Sequence, residues 1–146
     1  MLNIRRMTKD DLEKVVEIEN ETSSEPWTLD SFEHSLESDN DIYLVAEEDG
    51  RIAGYCGLWG VIDEGQITNV AVAGEYRRKG IGKQMLTRLI EEAKAHKYSV
   101  FTLEVRVSNK PAIALYEQLG FVKEGIRKDF YRKPREDAVI MWYRSK

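Results

Sequence analysis

The chain has 146 residues, 42% of them apolar and 33% charged, a size suited to one domain spanning residues 1–146 and a composition far from that of disordered chains. Its 22 Lys+Arg against 26 Asp+Glu give a formal net charge of -4, which argues against a direct nucleic-acid binder and favours cationic partners. One cysteine, Cys56, excludes an internal disulfide, and His34 and His96 stand too far apart in sequence for any metal-ligand spacing, so no metal is expected.

The start MLNIRRMTKDDLEK has no apolar stretch for a signal peptide or membrane span, so a cytoplasmic protein with no membrane partner is expected. Leu2 to Arg6 reads as a short strand. Thr8 with Asp11 makes a capping box, and Leu12, Val15 and Val16 follow at helical spacing. Glu25-Pro26-Trp27 breaks that helix, and Thr28 caps a second whose Leu29, Phe32 and Leu36 share one face. Ile42 to Ala46 is a strand, and Asp49-Gly50 is a hairpin turn into a longer strand from about Arg51 to Val61. Gly65 is expected at the next turn, with a strand from Gln66 to Val72 after it.

A loop from Ala73 then leads to a long helix with Ile81, Met85, Leu89, Ile90 and Ala93 on its buried stripe. Ser99 to Val107 alternates, with Phe101, Leu103, Val105 and Val107 on one face and Thr102, Glu104 and Arg106 on the other. Ser108 or Asn109 caps a short helix that carries Pro111 in its first turn and Gly120 past its end. Strands around Phe121 to Ile126 and Ala138 to Tyr143 complete an α/β chain of the α+β kind, a mixed sheet flanked by helices.

The stretch Arg77-Arg78-Lys79-Gly80-Ile81-Gly82-Lys83 lies between an apolar strand and an amphipathic helix. A helix start offers unpartnered N–H groups and partial positive charge, and glycines let an anion come close, so this is a candidate phosphate cradle. It fails the dinucleotide and Walker patterns on spacing. Taken alone, a lone Gly-x-Gly reads sooner as a solvated basic loop capping an ordinary helix. Cys56, in the apolar run IAGYCGLW, reads as a buried inert thiol.

Arg77-x-x-Gly80-x-Gly82 after Asn69-Val70-Ala71-Val72 resembles the acetyl-CoA motif of the GCN5-related N-acetyltransferases (GNAT), and the order of strands and helices resembles that fold over essentially the whole chain. Glu25-Pro26-Trp27-Thr28, Leu103-Glu104-Val105-Arg106, Ser108-Asn109, Ala114-Leu115-Tyr116-Glu117, Leu119-Gly120-Phe121, Arg127, Tyr131 and Arg135-Glu136-Asp137-Ala138 resemble, more narrowly, the bacterial ribosomal-protein-alanine N-acetyltransferases. The resemblance implies a mostly antiparallel mixed sheet with about four helices.

It also implies acetyl-CoA as co-substrate. Val70, Ala71 and Val72 would bond the pantetheine arm, with the Val72 N–H placed to polarise the thioester carbonyl. Arg77, Arg78, Lys79, Gly80, Ile81, Gly82 and Lys83 would hold the diphosphate, and Asn109 would contact the cofactor too. In the implied fold the strand ending at Val72 splays from the strand carrying Glu104, and the thioester enters the gap.

Glu104 is the implied general base and Tyr116 the implied general acid for the departing thiolate. Read by periodicity alone, Glu104 is a surface carboxylate paired with Arg106, and Tyr116 a core aromatic packed with Ala112 and Leu119. For the acceptor, the resemblance points to the loop with Pro26 and Trp27 and to the Asp129-Phe130-Tyr131 region; Glu25, Asp129, Glu136 and Asp137 are candidate anchors for basic residues, although each taken alone reads sooner as a solvated surface charge. Trp27 is equally a hydrophobic staple for the second helix.

The implied reaction is direct acetyl transfer, in a ternary complex, to a basic N-terminal peptide, the N-terminal alanine of the eighteenth small-subunit ribosomal protein. The rivals are an acetyltransferase of the same fold acting on a small-molecule amine, a non-catalytic acyl-CoA-binding module, and an RNA binder using the 77–83 patch. The sequence leaves the oligomeric state open and is compatible with a monomer.

Overall fold

A computed structural model describes residues 1–144. Seven strands form one sheet: β1 (Leu2–Arg6), β2 (Ile42–Glu48), β3 (Arg51–Val61), β4 (Glu64–Val72), β5 (Val100–Arg106), β6 (Val122–Arg132) and β7 (Arg135–Arg144), in the order β1-β2-β3-β4-β5-β7-β6. Every neighbouring pair is antiparallel except β4 and β5. The four α-helices are α1 (Leu12–Thr22), α2 (Leu29–Glu37), α3 (Ile81–Ala95) and α4 (Lys110–Gln118).

The sheet separates two apolar clusters. Alternation along each strand sends Ile42, Leu44, Cys56, Leu58, Phe101 and Leu103 to the face covered by α3 and α4. Tyr43, Val45 and Tyr55 go to the face where Val15, Ile18 and Phe32 of α1 and α2 pack. Cys56 is fully buried and burial pushes its thiol pKa up, the inert state that its apolar run predicts.

Most local signals hold. Asp11 accepts from the Thr8 N–H at 2.8 Å, closing one half of the capping box, although the first turn is a 3-10 turn (Lys9–Asp11). Thr28 caps α2 by accepting the Ser31 N–H at 3.2 Å. Asp49 and Gly50 both adopt positive φ, +52° and +82°, the geometry of a two-residue hairpin.

Three expectations fail. Gly65 is not at a turn: the chain reverses at Ile62 and Asp63, and Gly65 lies inside β4 opposite Gly60, where a side chain would crowd Phe101 and Leu58. Leu29 is 47% exposed, because it starts α2 one turn ahead of the face that Phe32 buries. Asp129, Phe130 and Tyr131 belong to β6 itself, at a register break against β7 between Arg127 and Tyr131. Such a bulge re-aims side chains without ending the strand.

Candidate active site

The parallel pairing of β4 with β5 ends early. Glu64, Gly65 and Gln66 pair with Val100, Phe101 and Thr102, and no register continues from there. Beyond Gln66 the two strands splay, leaving a crevice of about 210 Å³ lined by residues 67–70, residues 103–106, Asn109, Tyr116 and Tyr131. The splay implied by the resemblance is therefore present, and it brings Val70, Glu104, Asn109, Tyr116 and Tyr131 together. Ala71 lines an adjoining cleft and Val72 is the last residue of β4.

Glu104 enters this region from β5, its side chain 13% exposed. Its partner is not Arg106. Arg127 Nη1 donates to Glu104 Oε2 at 2.7 Å, Gln66 Nε2 donates to Oε1 at 3.4 Å, and the Tyr131 hydroxyl donates to the Glu104 carbonyl at 3.2 Å. Register explains the change: Glu104 faces Ile140 on β7, and Ile140 faces Gly125 on β6, so β6 brings Arg127 across the intervening strand.

Arg106 does something the sequence concealed. It donates to Ser24 Oγ at 3.0 Å, to the Pro134 carbonyl at 2.9 Å and to Glu136 Oε1 at 3.1 Å, and its guanidinium stacks over Tyr131 at 4.2 Å. One side chain thus ties the α1–α2 turn to the β6–β7 hairpin. The second Glu136 oxygen accepts from the Ser108 N–H at 2.7 Å, and Asp137 Oδ1 accepts from the Asp129 N–H at 2.8 Å. Glu136, held by Arg106 and the Ser108 N–H, braces the wall of the site, while Asp137 fixes the Asp129 backbone through one oxygen.

Tyr116, 8% exposed, reaches the crevice from α4 with its ring 5.9 Å from that of Phe121. Among the described residues its hydroxyl has no hydrogen-bond partner within the chain. Burial raises its pKa above the ordinary tyrosine value, which keeps the proton in place at neutral pH. Tyr131 is pushed up to about 12, first by burial. Core packing and an available proton coexist in Tyr116. Asn109 spends its side-chain oxygen on the α4 cap, accepting the Ala112 N–H at 3.3 Å.

At the other end of the crevice, Val72 leads into the loop before α3. Arg77 Nε donates to the Val72 carbonyl at 3.2 Å, and Lys79 lies 5.6 Å over the Tyr76 ring. Arg78 and Gly80 take positive φ, +65° and +77°. The first helical bond runs from the Gln84 N–H to the Gly80 carbonyl at 3.2 Å, so the N–H groups of Ile81, Gly82 and Lys83 lie in the open first turn. No side chain caps this end of α3. With Arg77, Arg78, Lys79 and Lys83 around it, the turn fits an anionic group.

A larger cleft of about 460 Å³ adjoins the crevice, its lining including Glu19, Glu25, Trp27, Gln66, Glu104 and Tyr131. Glu19 was not singled out by sequence, yet it is 5% exposed, accepts the Trp27 N–H at 2.9 Å and binds the Tyr55 hydroxyl. This buried strut fixes the α1–α2 turn over the sheet. The Trp27 ring packs 5.2 Å from Phe32 and 5.5 Å from Trp59, so the residue both staples α2 and walls the cleft. Among the described residues, no group of three His, Cys, Asp or Glu could hold a metal, and no helix is long and apolar enough to cross a membrane.

A mixed sheet split between β4 and β5, with an open helix start at one end of the split and a carboxylate and a tyrosine facing it, is an architecture for acyl transfer. Residues 12–121 match the profile of the acetyltransferase (GNAT) family. Over 143 residues the chain is 35% identical to the ribosomal protein bS18-alanine N-acetyltransferase of Escherichia coli strain K12, covering 97% of this chain and 96% of that protein. A Bacillus subtilis protein that bears the same name provisionally is 46% identical over 140 residues, 95% of this chain and 93% of its own. The crystal structure of the Escherichia coli ribosomal-protein-S18-alanine N-acetyltransferase superposes with a TM-score of 0.92 at 34% identity, covering 100% of this chain and 96% of that one. The chain belongs to the acetyltransferase (GNAT) family and is an N-acetyltransferase.

Proposed function

We propose that the chain transfers acetyl from acetyl-CoA to the N-terminal α-amine of a protein, in the cytoplasm, with the N-terminal alanine of ribosomal protein bS18 as the acceptor. The observation that carries this reading is that Glu104 and Tyr116 line one crevice, opened by the β4–β5 splay and leading to the open first turn of α3. The names of the relatives supply the acceptor.

In this reading the amides of Ile81, Gly82 and Lys83, with the basic side chains beside them, hold the diphosphate. The backbone of Val70, Ala71 and Val72 lies along the pantetheine arm, and the Val72 N–H supports the thioester oxygen as charge develops on it. An α-ammonium has a reference pKa of roughly 7.7 to 8.0, so near neutrality it must lose a proton before it can attack. Glu104, directly or through a water, accepts that proton. The amine nitrogen forms the amide bond as the carbon–sulfur bond breaks, and Tyr116 gives its proton to the departing thiolate. Cys56, fully buried with its thiol pKa raised by burial, is not placed as an activated nucleophile, which supports direct attack with both substrates bound together.

The decisive experiment is incubation with acetyl-CoA and peptides that copy the bS18 N-terminus, with mass spectrometry separating α- from ε-acetylation. α-Acetylation is expected. Acetylation of lysine alone, or of small amines in preference to every peptide, would overturn the reading.

A further inference from the structure

A second cavity, of about 440 Å³, lies behind the acceptor cleft and is lined by Trp27, Ser31, His34, Ser35, Asp41 and Trp59. It shares only Trp27 and Trp59 with the first, so the two hollows flank one pair of indoles. Trp59 is 42% exposed near the end of β3, and its Nε1–H donates to Ser35 Oγ at 3.2 Å, which fixes the ring. Asp41 accepts a long bond from the Gly60 N–H, at 3.4 Å, and has the neutral Ser35 hydroxyl beside it. No Lys, Arg or His nitrogen lies within ion-pair distance of it among the described residues, His34 included. Its pKa is raised, mainly by burial, as expected of a carboxylate lacking a cation.

Register gives the distance from the reacting amine. Trp59 pairs with Gln66, and the Gln66 amide reaches Glu104 at 3.4 Å. Gln66 in turn pairs with Thr102, so Trp59 and Glu104 lie two strands apart and two residues along β5, about 12 Å, on the sheet face that α1 and α2 cover. An extended peptide advances about 3.3 Å per residue, so a chain whose α-amine meets Glu104 crosses the indoles after about three to four residues. The next residues of that chain enter the second cavity, where an unpaired carboxylate lies beside two aromatic faces, the surroundings that a cation seeks.

We propose that this cavity is a subsite for a basic side chain at about the fourth to sixth residue of the acceptor peptide, held by Asp41 and the indoles of Trp27 and Trp59. The inference rests on the N-terminal acetyltransferase reading and extends it to the acceptor's length and charge. It makes the enzyme a reader of a segment and not only of a terminal residue.

The test uses octapeptides that share one N-terminal tripeptide and carry a single lysine at position four, five or six, or norleucine in its place, against the wild-type enzyme and Asp41→Asn. For at least one position, lysine should lower KM by about ten- to hundredfold relative to norleucine, the size of a charge-assisted contact. That ratio should shrink to less than about threefold in Asp41→Asn, whose fold is checked by circular dichroism. Equal KM for lysine and norleucine at all three positions would overturn the subsite, as would a ratio that survives in Asp41→Asn or a preference for glutamate. If no peptide is acetylated, the proposed function falls. The subsite is then judged by calorimetric binding of the same peptides, where tighter binding of a lysine peptide that is lost in Asp41→Asn supports it and no difference removes it.

Discussion

Arg127 Nη1 lies 2.7 Å from Glu104 Oε2, so the candidate base is bound to a guanidinium where an acceptor ammonium must arrive. The Arg127 side chain is 57% exposed and Glu104 13% exposed. A pair with one partner in water is worth only about 0.2–1 kcal/mol. The ammonium can therefore displace Arg127 at small cost, leaving it over the Phe130 ring, already 5.0 Å away. Arg127→Gln is expected to lower the peptide KM by no more than about fivefold. Steady-state kinetics checks this, and a large rise in KM would make Arg127 a peptide contact instead.

Removing the candidate base or the candidate acid should act on turnover and spare the cofactor. Glu104→Gln and Tyr116→Phe each keep the shape of the crevice, and each should lower kcat by about 10²–10⁴-fold. Acetyl-CoA affinity, measured by calorimetry, should stay within about threefold of wild type, because the candidate diphosphate site belongs to the 77–83 loop. Wild-type turnover in either variant would remove that residue from the mechanism.

Three buried tyrosines predict how the fold responds to base. Burial holds the pKa values of Tyr43, Tyr55 and Tyr116 above the ordinary value, and for Tyr55 the Glu19 carboxylate adds to the effect. Above pH 10 the unfolded chain releases these protons while the folded chain keeps them, so stability is full below pH 10 and falls as pH rises further. Each tyrosine contributes a slope of about 1.4 kcal/mol per pH unit. Urea unfolding at pH 9 and pH 11 should show the loss, and Tyr116→Phe should flatten it. By the same shift, Tyr116 stays protonated through pH 10, and kcat should show no descending limb below that value. Equal stability at the two pH values would contradict this account.

The two motif glycines should respond differently to alanine. Gly80 has φ +77°, a conformation that costs an L-residue about 1 kcal/mol or more. A Cβ on Gly82 would meet Leu115 at 3.6 Å and Val72 at 3.9 Å, ordinary contacts. Gly80→Ala should lower Tm by several degrees and raise the acetyl-CoA KM. Gly82→Ala should leave Tm equal or slightly higher, since glycine is a poor helix former and the protein around it has room for the methyl group. Reversal of this order, measured by thermal melts and kinetics, would refute the geometry assigned to the loop.

The sequence by itself determined the elements and the chemistry of single positions. Alternation placed Leu103 and Val105 inward and Glu104 outward, helical spacing marked the buried stripe of α3, and Gly80-x-Gly82 marked an open helix start. These signals are local, because burial and backbone conformation follow from a residue and its neighbours at two, three or four positions. Partnership is not local. Periodicity paired Glu104 with Arg106, whereas strand order gave Glu104 to Arg127, 23 residues away, and gave Arg106 to Ser24 and the β6–β7 hairpin. Glu136 looked like a free anchor until the register put Arg106 and the Ser108 N–H against it. The second cavity had no sequence signal at all, since its indoles come from the α1–α2 turn and the end of β3 and meet only when the sheet is assembled. Which charges are spoken for and which remain free for a substrate is decided by strand register, a property of the whole sheet and not of any one segment.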